Sequence, residues 1–255
     1  MKEKKSDIHF DGLANKFATN IYGTTKGQLR HKILLYAIES LLRSPPTNVI
    51  EIGGGTGLMA KALLEVGHNV VFTDASAEIL EHARLNLDGF TNVKFRHQTL
   101  EEIDDLSQYD VIICHAVLEW LHSPLEALSH ILVKMKAGSQ LSLTFFNHDA
   151  TLFTNAIYGN FDYIARGLKV RNQVRLNPKN PLRPKQVIEH VTNCGLQVEK
   201  VTGVRCFHDY MKVKPEGEQE QELLNLEMKY CQEEPFMWMG KYVHLLIKKP
   251  LPDNA

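Results

Sequence analysis

The stretch TNVIEIGGGTGLMAKALLEVGHNVVFTD, residues 47–74, decides the architecture. It opens on a short, nearly continuous apolar run, the pattern of a strand buried on both faces. Four glycines follow within five residues, at Gly53, Gly54, Gly55 and Gly57. GLMAKALLEVG then reads as a helix, with Gly67 as its stop, and HNVVFTD as a second strand. Strand, tight turn, helix and strand make one βαβ unit of a parallel sheet. Glycines in such a turn let a ligand come close to the backbone, because no Cβ intervenes. In open α/β sheets ligands bind beyond the carboxyl ends of the strands, where this turn lies. Asp74 closes the second strand, and a carboxylate there can accept hydrogen bonds from both hydroxyls of a ribose.

The same alternation continues outward. Before it, NIYGTTKGQLRHKILLYAIESLLRSPP carries Leu29, Ile33, Ala37 and Leu41 at helical spacing up to Pro45 and Pro46. After it come the helix SAEILEHARLNL, the strand NVKFRH, a strand within YDVIICHAVLEW, the helix SPLEALSHILVKMKAG and the strand QLSLTFFN. In that helix Ser123 is the expected cap, Pro124 the first residue, Glu126 the partner in a capping box and Gly138 the end. The alternation pauses from about residue 148 to 183. It resumes with the helix PKQVIEHVTNCG, the strand LQVEKVTGVRCF, an acidic helix EQEQELLNLEMKYC and a last strand, KYVHLLIKK. An antiparallel closing pair fits those last two strands. The expected organisation is a single domain over 1–255, with a helical cap at 1–46, a core at 47–147, a basic insertion at 148–185 and a C-terminal helix and strand pair at 186–255.

Composition narrows the class. The chain has 255 residues, 44% of them apolar, and a formal net charge of -1. Collagen-like and disordered chains are excluded, and no global basic field draws the protein to nucleic acid. The four cysteines form no C-x-x-C pair, which argues against zinc and against a disulfide framework. The start lacks the apolar run of a signal peptide, and no stretch has the ~20 apolar residues of a membrane span. A soluble, cytoplasmic protein without a metal is expected; the oligomeric state is open.

Two ligands compete for the glycine turn. Gly55-Thr-Gly57-Leu-Met-Ala60 matches the dinucleotide fingerprint G-x-G-x-x-A. Gly53-x-Gly55-x-Gly57 with Glu51 before it instead resembles the first motif of class I S-adenosylmethionine-dependent methyltransferases. The crowded glycines, the preceding acid and the closing strand pair favour the second. That resemblance implies a Rossmann-like α/β fold: a mostly parallel seven-stranded sheet with helices on both faces. It also implies S-adenosyl-L-methionine as cofactor, held by Gly53, Gly54, Gly55 and Asp74. Leu100 and Glu101 stand beside the adenine, where many members carry an acid at the position of Thr99. His115 lies by the methionine moiety, and Arg30 is the candidate partner of its carboxylate.

Substrate information lies in the insertion. No acidic residue occurs between Asp162 and Glu189, while Arg166, Lys169, Arg171, Arg175, Lys179, Arg183 and Lys185 do. Such a basic segment suits phosphates. Tyr158, Phe161, Tyr163, Phe207 and Tyr210 can stack on an unpaired base. NIYGTTKGQLR, HAVLEW, GNFDY, GVRCFHDY and GKYVH together resemble the bacterial tRNA 5-carboxymethoxyuridine methyltransferase family over nearly the whole chain. The resemblance implies methyl transfer to the carboxylate of 5-carboxymethoxyuridine at the wobble position, giving the methyl ester, with the tRNA anticodon loop as partner.

A carboxylate with a pKa near ~4 is already ionised at neutral pH. No catalytic base is therefore assigned, and the task is alignment. Arg171 and Arg175 are candidates for phosphate contact. Arg205, His208 and Tyr210 are candidates for orienting the substrate. Three alternatives stand beside this reading: a small-molecule O- or C-methyltransferase acting on a free acid or quinone precursor, a non-catalytic RNA-binding regulator, and a nicotinamide-dependent oxidoreductase.

Overall fold

The computed structural model describes residues 12, 24–168, 178 and 180–252. The described chain runs α1 (Thr25–Ala37), α2 (Glu39–Leu42), β1 (Asn48–Ile52), α3 (Leu58–Glu65), β2 (Asn69–Asp74), α4 (Ala77–Asn86), β3 (Val93–His97) and β4 (Val111–His115). It continues with α5 (Pro124–Lys134), β5 (Gln140–Phe146), α6 (His148–Ile157), α7 (Phe161–Ala165), α8 (Pro184–Asn193), β6 (Gln197–Val204), α9 (Glu218–Tyr230) and β7 (Tyr242–Lys248). The strands form one seven-stranded sheet in the order β3-β2-β1-β4-β5-β7-β6. β1 to β5 pair in parallel, while β7 enters antiparallel between β5 and β6.

The order reverses at β1 and β4, so the β1 turn opens into a crevice at the carboxyl ends of the strands. Successive β1 residues serve opposite faces: Val49 packs with α1, α3, α4 and α9, whereas Ile50 packs with α5 and α8. Helices thus cover both sides of the sheet. α1 is built into one of these layers, with Ile33 fully buried against the core.

Local signals correct three expectations. The helix expected up to Pro45 breaks at Ile38 (φ -103°, ψ 17°) and resumes as α2. Ser123 makes no side-chain capping bond at α5, although Pro124 does start it. α5 ends at Lys134, before Gly138. That glycine, at φ 81°, shapes the turn into β5, and its amide donates to the Lys249 carbonyl.

The insertion is not one loop. Its first part is α6 and α7, and α6 is capped by the Asn147 side chain, which accepts from the Asp149 and Ala150 amides. The chain returns along β5, where the Leu182 amide donates to the Phe146 carbonyl and the His148 amide to the Leu182 carbonyl. Among the described residues no helix is long and apolar enough to cross a membrane.

Candidate functional site

The glycine turn leaves β1 through Gly53 (φ 62°), Gly55 (φ 61°) and Gly57 (φ 83°), conformations that side chains with a Cβ rarely adopt. Gly54 serves packing as well as the crevice: a Cβ there would lie 2.2 Å from the Phe72 ring. Asp74 braces the turn. Its carboxylate accepts from the Gly55 amide (3.2 Å) and from the Ser76 amide (2.9 Å).

Arg30, His31, Glu51, Gly53, Gly54, His115 and Thr144 line one pocket at the ends of β1, β4 and β5. The structure therefore brings Arg30, more than twenty residues before the turn in sequence, onto the same pocket as Gly53 and His115. Glu51 is 3% exposed, and its Oε2 has no hydrogen-bond partner. Burial, aided by the nearby Asp74, pushes its carboxyl up to about 8, against a bond from the Ala60 amide. The Thr144 hydroxyl is also buried and unpartnered. His115 Nε2 shares the Ser142 hydroxyl (2.8 Å) with His244 Nε2 (2.8 Å). Burial holds His115 well below its ordinary value, and His244, Arg30 and His31 reinforce this, so the ring is neutral.

The segment after β3 adjoins Asp74. The Gln98 amide donates to the Asp74 carbonyl, while the Gln98 Oε1 is buried without a partner. The Thr99 amide donates to Glu102 (2.9 Å). Leu100 is 4% exposed, whereas Glu101 is exposed. Sequence reasoning passed over Gln98, and it did not assign a role to Glu51 beyond the motif. An orphaned buried oxygen is a property of the fold rather than of a pattern.

Beyond the pocket lies a cluster of cations and aromatics. Arg30 and Arg205 both stand over the Tyr242 ring, 5.6 Å and 5.5 Å from its centre. Tyr242 meets Phe146 edge-on at 5.3 Å. Arg205 is 7% exposed, at φ 62°, and forks onto Asp209 through Nε (2.7 Å) and Nη2 (3.2 Å). Burial opposes ionisation of Asp209, but the His208 bond and the Arg205 charge prevail and hold it at about 2. The Tyr210 hydroxyl donates to the Met239 carbonyl (2.7 Å), and His208 is buried. The polar groups of Arg205 and Tyr210 are thus spent within the protein.

The loop carrying them is pinned from α9. The Glu227 carboxylate accepts from the amides of Cys206 (2.5 Å), Phe207 (3.0 Å) and His208 (2.9 Å). Glu119 faces the same region from the turn after β4. It is fully buried, and burial raises it to about 7 against weak pulls from the backbone amides of Glu119 and Phe146 and from the Arg30 charge.

Phe161 is 67% exposed and Tyr158 48% exposed, on the α6–α7 surface that leads into the basic segment. Arg171 and Arg175 lie outside the described residues, as do Lys169 and Lys179. Arg166, Arg183 and Lys185 are described and exposed; Arg183 stands 3.7 Å from Asp149.

Residues 50–141 match a methyltransferase-domain family. The chain is 36% identical to the tRNA 5-carboxymethoxyuridine methyltransferase of Escherichia coli strain K12 over 253 residues, which is 96% of this chain and 97% of that protein. It is 26% identical to a ubiquinone biosynthesis O-methyltransferase of Xanthomonas axonopodis pv. citri over 68% of this chain and 72% of that protein. Among solved structures, the putative methyltransferase bound to the Trm112 activator of Haloferax volcanii superposes with a TM-score of 0.62 at 15% identity, covering 96% of this chain and 98% of that one. A possible histamine N-methyltransferase from Thermotoga maritima superposes with a TM-score of 0.60 at 15% identity, covering 94% and 98%.

Proposed function

The chain belongs to the tRNA 5-carboxymethoxyuridine methyltransferase family, and from that premise we propose how its own residues carry out the reaction. It is an S-adenosylmethionine-dependent tRNA methyltransferase that esterifies the carboxylate of 5-carboxymethoxyuridine at the wobble position. The near end-to-end match, insertion included, is the observation that carries this. The small-molecule O-methyltransferase relatives match over about two thirds of the chain only.

The pocket suits the cofactor. Arg30 pairs with the methionine carboxylate, and the unpartnered Glu51 Oε2 faces the positive end of the same moiety. Gly53 and Gly55 let the ligand approach the turn, and Asp74 accepts from the ribose. The orphaned Gln98 Oε1, with Leu100 and Glu101, borders the adenine. Neutral His115 and Thr144 line the floor without adding a like charge beside a sulfonium.

S-adenosylmethionine, when bound, would supply a methyl on a positive sulfur to an oxygen of the substrate carboxylate, with the bonding pair left on sulfur and both charges lost. No proton moves, so the chain needs no base. Its work is to hold the substrate oxygen in line and to keep water out.

The anticodon loop docks on the exposed Tyr158 and Phe161 and on the basic segment around Arg171 and Arg175, and the wobble base is splayed toward the pocket. A cytoplasmic site of action follows from the substrate. The reading is tested by incubating the protein and S-adenosylmethionine with tRNA from cells lacking it, then digesting to nucleosides for mass spectrometry. One added methyl on 5-carboxymethoxyuridine is expected. Conversion of a free acid or quinone precursor with tRNA left untouched would overturn it.

A further inference from the structure

Lys241 precedes β7, beside the carboxyl end of β5, and its backbone is bolted on both sides. Its amide donates to the Arg205 carbonyl (3.2 Å), and its carbonyl accepts from the Asn147 amide (3.0 Å). Its Nζ lies 4.9 Å from the centre of the Phe146 ring. Phe146 is two residues beyond Thr144 on one strand, hence on the same side of the sheet and ~7 Å further out. Thr144 lines the cofactor pocket. The ring on which the ammonium rests therefore lies outward of the cofactor pocket, on the same side of the sheet as Thr144.

Among the described residues its Nζ makes no hydrogen bond and no ion pair. The neighbouring cation, Arg205, is satisfied by Asp209, and its Nη1 also reaches the Lys26 carbonyl (3.4 Å). Burial depresses Lys241, and Arg205 adds to that, while Asp209 only partly offsets it. A partly buried ammonium resting on an aromatic face is stabilised by an arriving anion more than a solvated lysine would be.

We propose that Lys241 is the residue that receives and orients the substrate carboxylate, and so selects a carboxyl-bearing wobble base over a neutral one. This rests on the reading given under Proposed function. The role suits lysine, whose single point charge aligns an oxygen without the two-pronged clamp that an arginine would impose. Too tight a clamp would stabilise the ground state and slow a reaction in which the negative charge disappears.

The test compares two versions of one tRNA, bearing 5-carboxymethoxyuridine or the uncharged 5-methoxyuridine, with wild type, Lys241→Met, Lys241→Gln and Lys241→Arg. Affinity is measured with S-adenosylhomocysteine present, and turnover separately. Wild type should bind the carboxyl form more tightly by tenfold or more. Lys241→Met should lose that preference and about a hundredfold in kcat/KM, mostly through KM, while binding S-adenosylhomocysteine and the methoxy tRNA as wild type does. Lys241→Arg should restore the preference in part. Should Lys241→Met fold poorly, Lys241→Gln gives the same ratio with a polar side chain. An undiminished preference in the charge-free variants overturns the proposal and leaves the methyltransferase reading standing. A wild type that methylates neither tRNA overturns that reading instead.

Discussion

At the scale of single residues, the pocket holds a buried carboxyl, Glu51, whose Oε2 has no hydrogen-bond partner. Glu51 ionises at about 8 in the folded protein, above its ordinary 4.5, so folding retains a proton that the unfolded chain releases. The contribution of Glu51 to the stability of the cofactor-free protein therefore falls as pH rises from about 4.5 to about 8. Glu51→Gln removes that contribution and leaves the one from Glu119, which burial raises to about 7. The variant should melt higher than wild type at pH near ~8, and it should bind S-adenosylmethionine more weakly. Calorimetric titration and melting across pH check both; a variant that shows neither added stability nor a binding defect contradicts the assignment. Asp74→Asn should weaken the cofactor about tenfold to a hundredfold, the worth of charge-assisted bonds of ~1.5–3 kcal/mol. An unchanged dissociation constant would remove Asp74 from the ribose site. The place of Asp74 was legible in the sequence because it is local, at the end of a strand beside a glycine turn. Lys241 was not, because its meaning depends on Asp209 having already claimed Arg205, a pairing that no spacing rule reveals.

At the scale of elements, α9 acts as a buttress for the 206–208 loop. Its Glu227 holds three consecutive amides of the 206–208 loop, which keeps Arg205 in its left-handed conformation and Tyr210 against Met239. Glu227→Ala leaves those amides buried and unpaired. A loss of about 3 kcal/mol is expected from groups of this kind, which in a domain of this size lowers the melting temperature by about 6–12 °C. A melting temperature within a degree or so (~1 °C) of wild type would show that the loop is held by other bonds. The helices and strands were readable from apolar periodicity, and the antiparallel last pair from the order of elements. The buttress was not, because residues twenty apart meet only after β6, α9 and β7 have packed. The capping box at Ser123 was readable and wrong: Ser123 adopts φ -119°, ψ 71°, and its side chain makes no bond to the helix amides.

At the scale of the whole molecule, a formal charge of -1 is combined with a segment rich in cations and free of acids. Binding to tRNA should thus depend on salt largely through that segment. Charge reversal at Arg171 and Arg175 should weaken tRNA affinity without altering cofactor affinity. It should also lower the slope of log K against log salt by about 0.7 for each phosphate that the protein no longer neutralises. An unaltered slope in filter binding would place the RNA elsewhere on the surface. The fold could be read from strand-helix alternation because each unit of it is local. The basic segment could be read only as charge, because the arrangement of cations on a surface is fixed by folding and not by order along the chain.

The most direct measurement gives the protein S-adenosylmethionine tritiated in its methyl group, with bulk tRNA from cells that lack it. Nuclease digestion and mild alkali follow. The account predicts label on the wobble nucleoside, released by alkali as an ester must be. Label that withstands alkali, or that never enters tRNA although the cofactor binds, would contradict it.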